Sequence, residues 1–257
     1  MAKDDTKVVS GLNPAMQPKR MAMSGHYAPG KNPNSHKPRP WTAEAKEKLS
    51  RSQEWLAATK NNTSPRGYLS YSQMQLYLKD PQLFYQCYIE GLQQFRTDRL
   101  ILGKRMATAL ENGFDEQRDP MIEMVMTFMP SYPLREYEMN GVFEGIPLKG
   151  KLDGFDKEGL RIGEYKTGVK WTQGMVDCHG QLTFYALLVK LNYGVLPNEI
   201  KLHWARTQKN PETGGIELTG ETKTFLTKRT MSDLILFSKK IKEVWKGVCE
   251  VGAFAKI

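Results

Sequence analysis

The stretch that most constrains this chain runs from Gly150 to Tyr185, GKLDGFDKEGLRIGEYKTGVKWTQGMVDCHGQLTFY. Two short segments with apolar flanks, KLDGF and LRIGEYK, are separated by the charged turn DKEG, and a mostly apolar run follows Gly180. This patterning predicts two neighbouring β-strands and then a helix packed into the body of the domain. The charged residues inside the strands are few and chemically specific. Asp153 lies in the first segment, and Glu164 and Lys166 end the second.

Two carboxylates on neighbouring strands can share a hard divalent cation such as Mg²⁺, which prefers oxygen ligands and keeps several waters. The backbone carbonyl of Tyr165, between Glu164 and Lys166, is a further candidate ligand. Lys166 emerges on the same strand face as Glu164, where an ammonium can orient a water and offset charge in a phosphoryl transition state. Taken alone, these residues also fit a plainer arrangement, with Asp153 capping a turn and Glu164 paired to Lys166 on the surface. Gly150, Gly154, Gly163 and Gly168 bracket both segments and suit close approach of a backbone or a ligand. Four residues apart and early in the following helix, Gln181 and Tyr185 share one face. An amide and a phenol there can hold a phosphate, a base or a water, or can simply open an aromatic core helix.

At 257 residues and 40% hydrophobic, the chain is long enough to bury a sizeable core. Its net charge of +9 predicts attraction to polyanions, nucleic acid first among them. Residues 1–62 hold 11 Lys and Arg against 5 Asp and Glu, so a net +6 of that charge sits there and the remainder is only mildly basic. Up to about residue 40 the composition is that of a disordered or loosely attached arm, either touching phosphates or passive. His26 and His36 in it read as solvated. WTAEAKEKLSRSQEWLAATK adds a short helix that Thr42 can cap. The organisation expected is therefore an arm over 1–62 and one domain over 63–257.

Cys87, Cys178 and Cys249 are widely spaced and make no CxxC pair, which signals neither a disulfide framework nor a zinc site. No apolar run is long enough for a transmembrane helix, and MAKDDTKVV lacks the hydrophobic core of a signal peptide, so a cytoplasmic protein with no membrane partner is expected.

From Tyr68 onward the chain reads as a domain. Ser70 or Ser72 can cap a helix that Pro81 breaks, and a second amphipathic piece carries Phe84, Cys87 and Tyr88. A helix is predicted over Ile101 to Asn112, ended by Gly113, and a short one between Pro120 and Pro130. REYEMNGVFEGIPLKGKLDGF alternates, and its Asn140-Gly141 pair predicts the turn of a hairpin. A continuous helix is expected from about Thr172 to Tyr193, then strands through EIKLHWART and GGIELTGETKTFLTKRT, and a closing helix over roughly Met231 to Val248. His203, alternating with Leu202 and Trp204, reads as a satisfied structural histidine, and His179 as a surface or loop residue within reach of a ligand.

The series G-x-x-D, E-Y-K-T-G and Q-x-x-x-Y resembles the nuclease core of the PD-(D/E)XK superfamily, in particular its RecB-like exonuclease branch. The upstream YLSYSQMQLYLKDPQLFYQCYIEGL is similar to the helical entry of that branch, so the resemblance spans about Tyr68 to Arg206. It implies an α/β fold, a mixed central sheet flanked by helices, and Mg²⁺- or Mn²⁺-dependent hydrolysis of DNA phosphodiesters. Asp153 and Glu164 would be metal ligands and Lys166 the catalytic lysine. Gln181 and Tyr185 match the signature beside the site, Gln181 in catalysis and Tyr185 on DNA. Glu111 resembles the first-motif acid, although Ala107 stands where the branch often has a histidine ligand.

Some members hold an iron-sulfur cluster through a cysteine before the entry proline and three near the C-terminus. Here Asp80 precedes Pro81 and only Cys249 lies near the end, so no cluster is expected. Lys149, Lys151, Lys170 and Arg206 are candidate phosphate contacts. No GxxxxGK[ST] loop occurs, so any helicase or recombination protein would be a separate partner. The expectation is a metal-dependent DNA exonuclease in recombination, repair or viral genome processing. Its rivals are a structure-selective endonuclease and a catalytically silent DNA-binding module.

Overall fold

The computed structural model describes residues 42–93 and 95–255. Of the arm expected over 1–62, the part before residue 42, with His26 and His36, lies outside the described residues, whereas from Thr42 on the chain belongs to the same compact unit as the rest. Helix α1 (Ala43–Lys60) begins where Thr42 accepts the Ala45 amide, and it lies against the sheet: Trp55 donates its indole N–H to the Leu148 carbonyl at 3.3 Å. Ser70 and Gln73 form a capping box for α2 (Tyr71–Lys79). Pro81 both ends that helix and opens α3 (Pro81–Tyr88), because a proline at the first helical position lacks only an N–H that would be unpaired anyway.

Helix α4 (Asp98–Asn112) starts earlier than its apolar spacing suggests, since Thr97 supplies the cap, and ends at the left-handed Gly113. Helix α5 (Pro120–Phe128) follows. The five strands β1 (Leu134–Phe143), β2 (Ile146–Asp156), β3 (Arg161–Gly168), β4 (Glu199–Lys209) and β5 (Ile216–Thr227) form one sheet in chain order. All neighbours are antiparallel except β3 and β4, which are parallel and joined by a helical crossover. That crossover is two helices, α6 (Gln173–Asp177) and α7 (Gly180–Tyr193), rather than the single helix expected; the break falls at Cys178 and His179. Helix α8 (Met231–Phe254) closes the described chain. This is the mixed sheet flanked by helices that the sequence resemblance implies.

The β1–β2 turn is not at Asn140-Gly141. It is formed by Glu144 and Gly145, both at positive φ (49° and 80°), with Phe143 paired to Ile146. Two consecutive positive φ values match the right-handed twist of flanking strands. Gly141 serves the strand interior instead, where a Cβ would lie 3.0 Å from the Leu191 side chain.

The main core packs α7, α8, α2 and α3 against the sheet and includes Leu152, Phe155, Ile162, Phe184, Leu188 and Leu202. A smaller cluster, with Met106, Ala109, Ile122, Val125, Ala205 and Leu218, joins α4 and α5 to β4 and β5. Adjacent Trp204 and Ala205 belong to different clusters, as strand alternation requires of a sheet covered on both faces. Cys87, Cys178 and Cys249 form no disulfide. No helix among the described residues is long and apolar enough to cross a membrane.

Candidate active site

The β2–β3 ladder ends at the pair Gly154 and Gly163. One position further on, Asp153 and Glu164 face each other where the strands part. The Tyr165 amide, released from the ladder, donates to Asp153 Oδ2 at 3.0 Å. In an extended strand the carbonyl of a residue leaves on the same side as its N–H, so the Tyr165 carbonyl also faces this opening. The glycine pair makes the end of the ladder possible: a Cβ at Gly163 would sit 2.2 Å, and one at Gly154 2.5 Å, from the Tyr132 ring laid across them. The close approach that glycine permits here is by the protein's own side chains. Gly150 likewise accommodates Leu188 and Tyr185, and Gly168 accommodates Trp171.

Glu164 is completely buried and neither of its oxygens receives a hydrogen bond. Lys166 Nζ lies 2.5 Å from Oε1 as an ion pair, while Oε2 has no donor. Burial raises the Glu164 pKa to about 8, with adjacent Asp153 adding to it and Lys166 opposing it. Burial also raises Asp153, against the pull of the Tyr165 amide and Lys166. For Lys166, burial favours loss of the proton, but Glu164 and Asp153 outweigh it and hold the ammonium above its ordinary value. A fully buried carboxylate beside a partly buried one constitutes a site that an additional positive charge stabilises.

Lys166 also donates to Gln181 Oε1 at 3.0 Å. Gln181 Nε2 donates to the Tyr185 hydroxyl at 2.8 Å, which in turn donates to the Lys151 carbonyl at 2.6 Å. One chain of hydrogen bonds thus runs from β3 across α7 to the backbone of β2. Tyr185 is 5% exposed and its hydroxyl is committed inside the protein, which places it behind the site rather than on a nucleic-acid surface. Tyr71 rests against His179, which also meets Trp171 edge-on. Burial, then Lys166 and Arg229, lower His179 to about 4, so it is neutral at ordinary pH.

A narrow cleft beside Asp153 is lined by Ala107, Glu111, Arg135, Glu136 and Tyr165. Glu111 therefore stands at the rim of the same opening, on the exposed last turn of α4. Glu136 carries no motif and sequence reasoning missed it. By the β1–β2 register it lies opposite Asp153, and it adopts a left-handed φ of 49° within a strand whose pairing is unbroken on either side. Its carboxylate pairs with Lys151.

Lys149 pairs with Glu138 at 3.0 Å and Arg206 with Glu221 at 2.7 Å. Lys170 is exposed just past the end of β3. His203 is fully buried between Thr224 Oγ1 (2.9 Å) and the Tyr132 hydroxyl (3.0 Å), a satisfied structural histidine.

Among the described residues no group of three His, Cys, Asp or Glu side chains is placed to hold a metal ion. The available donor set is the Asp153–Glu164 pair with the Tyr165 carbonyl. This fits Mg²⁺ or Mn²⁺ rather than a softer metal: the donors are all oxygens, Glu164 Oε2 is unpartnered, and such ions take one or two carboxylates and complete their shell with water or phosphate.

A mixed sheet whose adjacent strands β2 and β3 part at a carboxylate pair and a neighbouring lysine defines a restriction-endonuclease-like nuclease core. A family model for the PD-(D/E)XK nuclease superfamily matches residues 119–249, and the chain belongs to that superfamily. A crystal structure from Eubacterium rectale, described as a "putative exonuclease", is similar over 79% of this chain and 86% of its own, with a TM-score of 0.50 at 14% identity. No curated protein matches the chain.

Proposed function

We propose that the chain is a divalent-metal-dependent DNA exonuclease of the RecB-like branch. The observation that carries this is the opening of β2 from β3 at Asp153 and Glu164, with Lys166 held over the pair by Gln181. A purely binding protein has no use for an undersatisfied carboxylate buried beside a fixed ammonium. Asp153, Glu164 and the Tyr165 carbonyl would hold Mg²⁺ or Mn²⁺, which when bound supplies Lewis-acid stabilisation of the phosphoryl group.

The rest of the chemistry belongs to the chain. Lys166 keeps its proton and points it at the place where phosphoryl charge grows, and Gln181 fixes its direction. The same ammonium positions the attacking water for in-line displacement. Lys151, Lys170 and Arg206 would meet the phosphodiester backbone from the rim. Exonuclease mode rests on the Q-x-x-x-Y signature at Gln181 and Tyr185 and on the name given to the Eubacterium rectale protein.

The test is incubation of the purified protein with end-labelled linear and covalently closed circular DNA, single- and double-stranded, in Mg²⁺, Mn²⁺ or EDTA. Metal-dependent loss of linear DNA with circles spared is expected. Cleavage of circles would make it an endonuclease. Inert wild type and inert Lys166→Ala, both binding DNA, would make it a binding module.

A further inference from the structure

Arg229 stands just after β5 and is 6% exposed, yet among the described residues no carboxylate lies within ion-pair distance of it. Its guanidinium instead spends all five N–H groups on uncharged oxygens. Nε donates to Thr183 Oγ1 (2.8 Å), Nη1 to Thr227 Oγ1 and the Lys228 carbonyl (both 2.8 Å), and Nη2 to the carbonyls of Val176 (3.0 Å) and His179 (3.2 Å). Thr227 passes the link onward by donating to Asp177 at 2.8 Å. An arginine stays charged even when buried, and its planar fork fixes the directions of its partners.

Those partners are not scattered. Val176 is in the last turn of α6, His179 is the break between the helices, and Thr183 is in the first turn of α7. His179 and Thr183 lie two residues before and two residues after Gln181, so the guanidinium grips the backbone and the helix face on both sides of the residue that holds Lys166. The break sits at the C-terminal end of α6, where a positive charge is favoured by the carbonyl dipoles left unpaired.

We propose that Arg229 is a positioning residue for the lysine of the active site, acting through the α6–α7 break and Gln181. The assignment of a nuclease role to Lys166 rests on the function proposed above, but the mechanical link does not. A lysine at position 229 keeps the charge and loses the fork, so it can satisfy only part of the set.

The test reads Lys166 directly. In protein labelled with ¹³C at lysine Cε, the Lys166 resonance is assigned by its loss in Lys166→Met. Arg229→Lys should move that resonance in the direction that Gln181→Ala moves it, and should add little in the Gln181→Ala background, because both act on one path. In DNA cleavage assays it should lower kcat 10- to 100-fold with KM for DNA unchanged, a loss of the size that follows about 1 Å of misplacement. A lower melting temperature with the Lys166 resonance at its wild-type position would overturn the proposal. Should Arg229→Lys fold poorly, Thr183→Val removes the Nε acceptor at nearly constant volume and is read the same way. A wild type inert on every DNA sinks the nuclease reading alone, since the resonance is measured without turnover.

Discussion

Lys166 donates to Gln181 Oε1 at 3.0 Å while its ammonium rests 2.5 Å from Glu164 Oε1. The amide and the carboxylate divide the work. Glu164, with Asp153, favours the charged lysine against the opposing pull of burial, and Gln181 decides where the charge points. Removing one partner therefore differs in kind from removing the other.

Gln181→Ala should leave Lys166 charged but free to swing. We expect kcat to fall about 10- to 100-fold with KM little changed, whereas Lys166→Met should cost about 100- to 1,000-fold. Steady-state kinetics on the linear DNA substrate distinguish the two. Equal losses would mean that Gln181 does more than orient the lysine.

Adding Mg²⁺ or Mn²⁺ should raise the melting temperature, because the cation binds the folded carboxylate pair and not the unfolded chain. At about 100 times Kd the gain is about 2.7 kcal/mol, or roughly 5 to 10 °C for a domain of this size. Asp153→Asn and Glu164→Gln should abolish most of that shift in differential scanning fluorimetry. A full shift in both variants would place the metal elsewhere.

Gly163→Ala pushes a methyl group into the Tyr132 ring, since its Cβ would lie 2.2 Å from a ring carbon. Overpacking of this sort costs about 1 to 3 kcal/mol, a drop of roughly 3 to 10 °C. In a Tyr132→Ala background the same substitution should cost little, and thermal melts of the four proteins give the coupling. Additive losses would show that the glycine is needed for another reason.

Burial, with a contribution from Lys201, lowers His203 to about 4, whereas an unfolded histidine titrates near 6.5. Between those values the unfolded chain binds the proton more tightly, so stability is full above about pH 6.5 and is lost as pH falls toward 4. The contribution at stake is on the order of 3 kcal/mol. Urea unfolding at pH 7 and pH 4.5 should show a smaller pH-dependent loss in His203→Gln than in the wild type. Equal losses would remove His203 as the cause.

The sequence by itself determined the order of elements and the chemistry. Alternation, turn residues and caps mark the strands, most of the helices and the two entry helices joined at Pro81. The short segment Glu164-Tyr165-Lys166, with Asp153 before it, marks the candidate site through residue type alone. These signals are local: each depends on a period or a spacing within a few residues.

Tertiary structure decided what those residues face. Asn140-Gly141 has the composition of a hairpin turn, but Leu188 and Leu191 of α7 need the space over Gly141, and the turn moved to Glu144 and Gly145. Tyr185 became the inner link of a hydrogen-bond chain because α7 packs its first turns onto β2 and β3. Glu136 and Arg229 reach the site only through strand register and the break in the crossover helix, relations spanning many residues that no local pattern records. Register and packing depend on which surfaces meet, so a motif can specify the Asp153–Glu164–Lys166 chemistry while the fold alone fixes its direction.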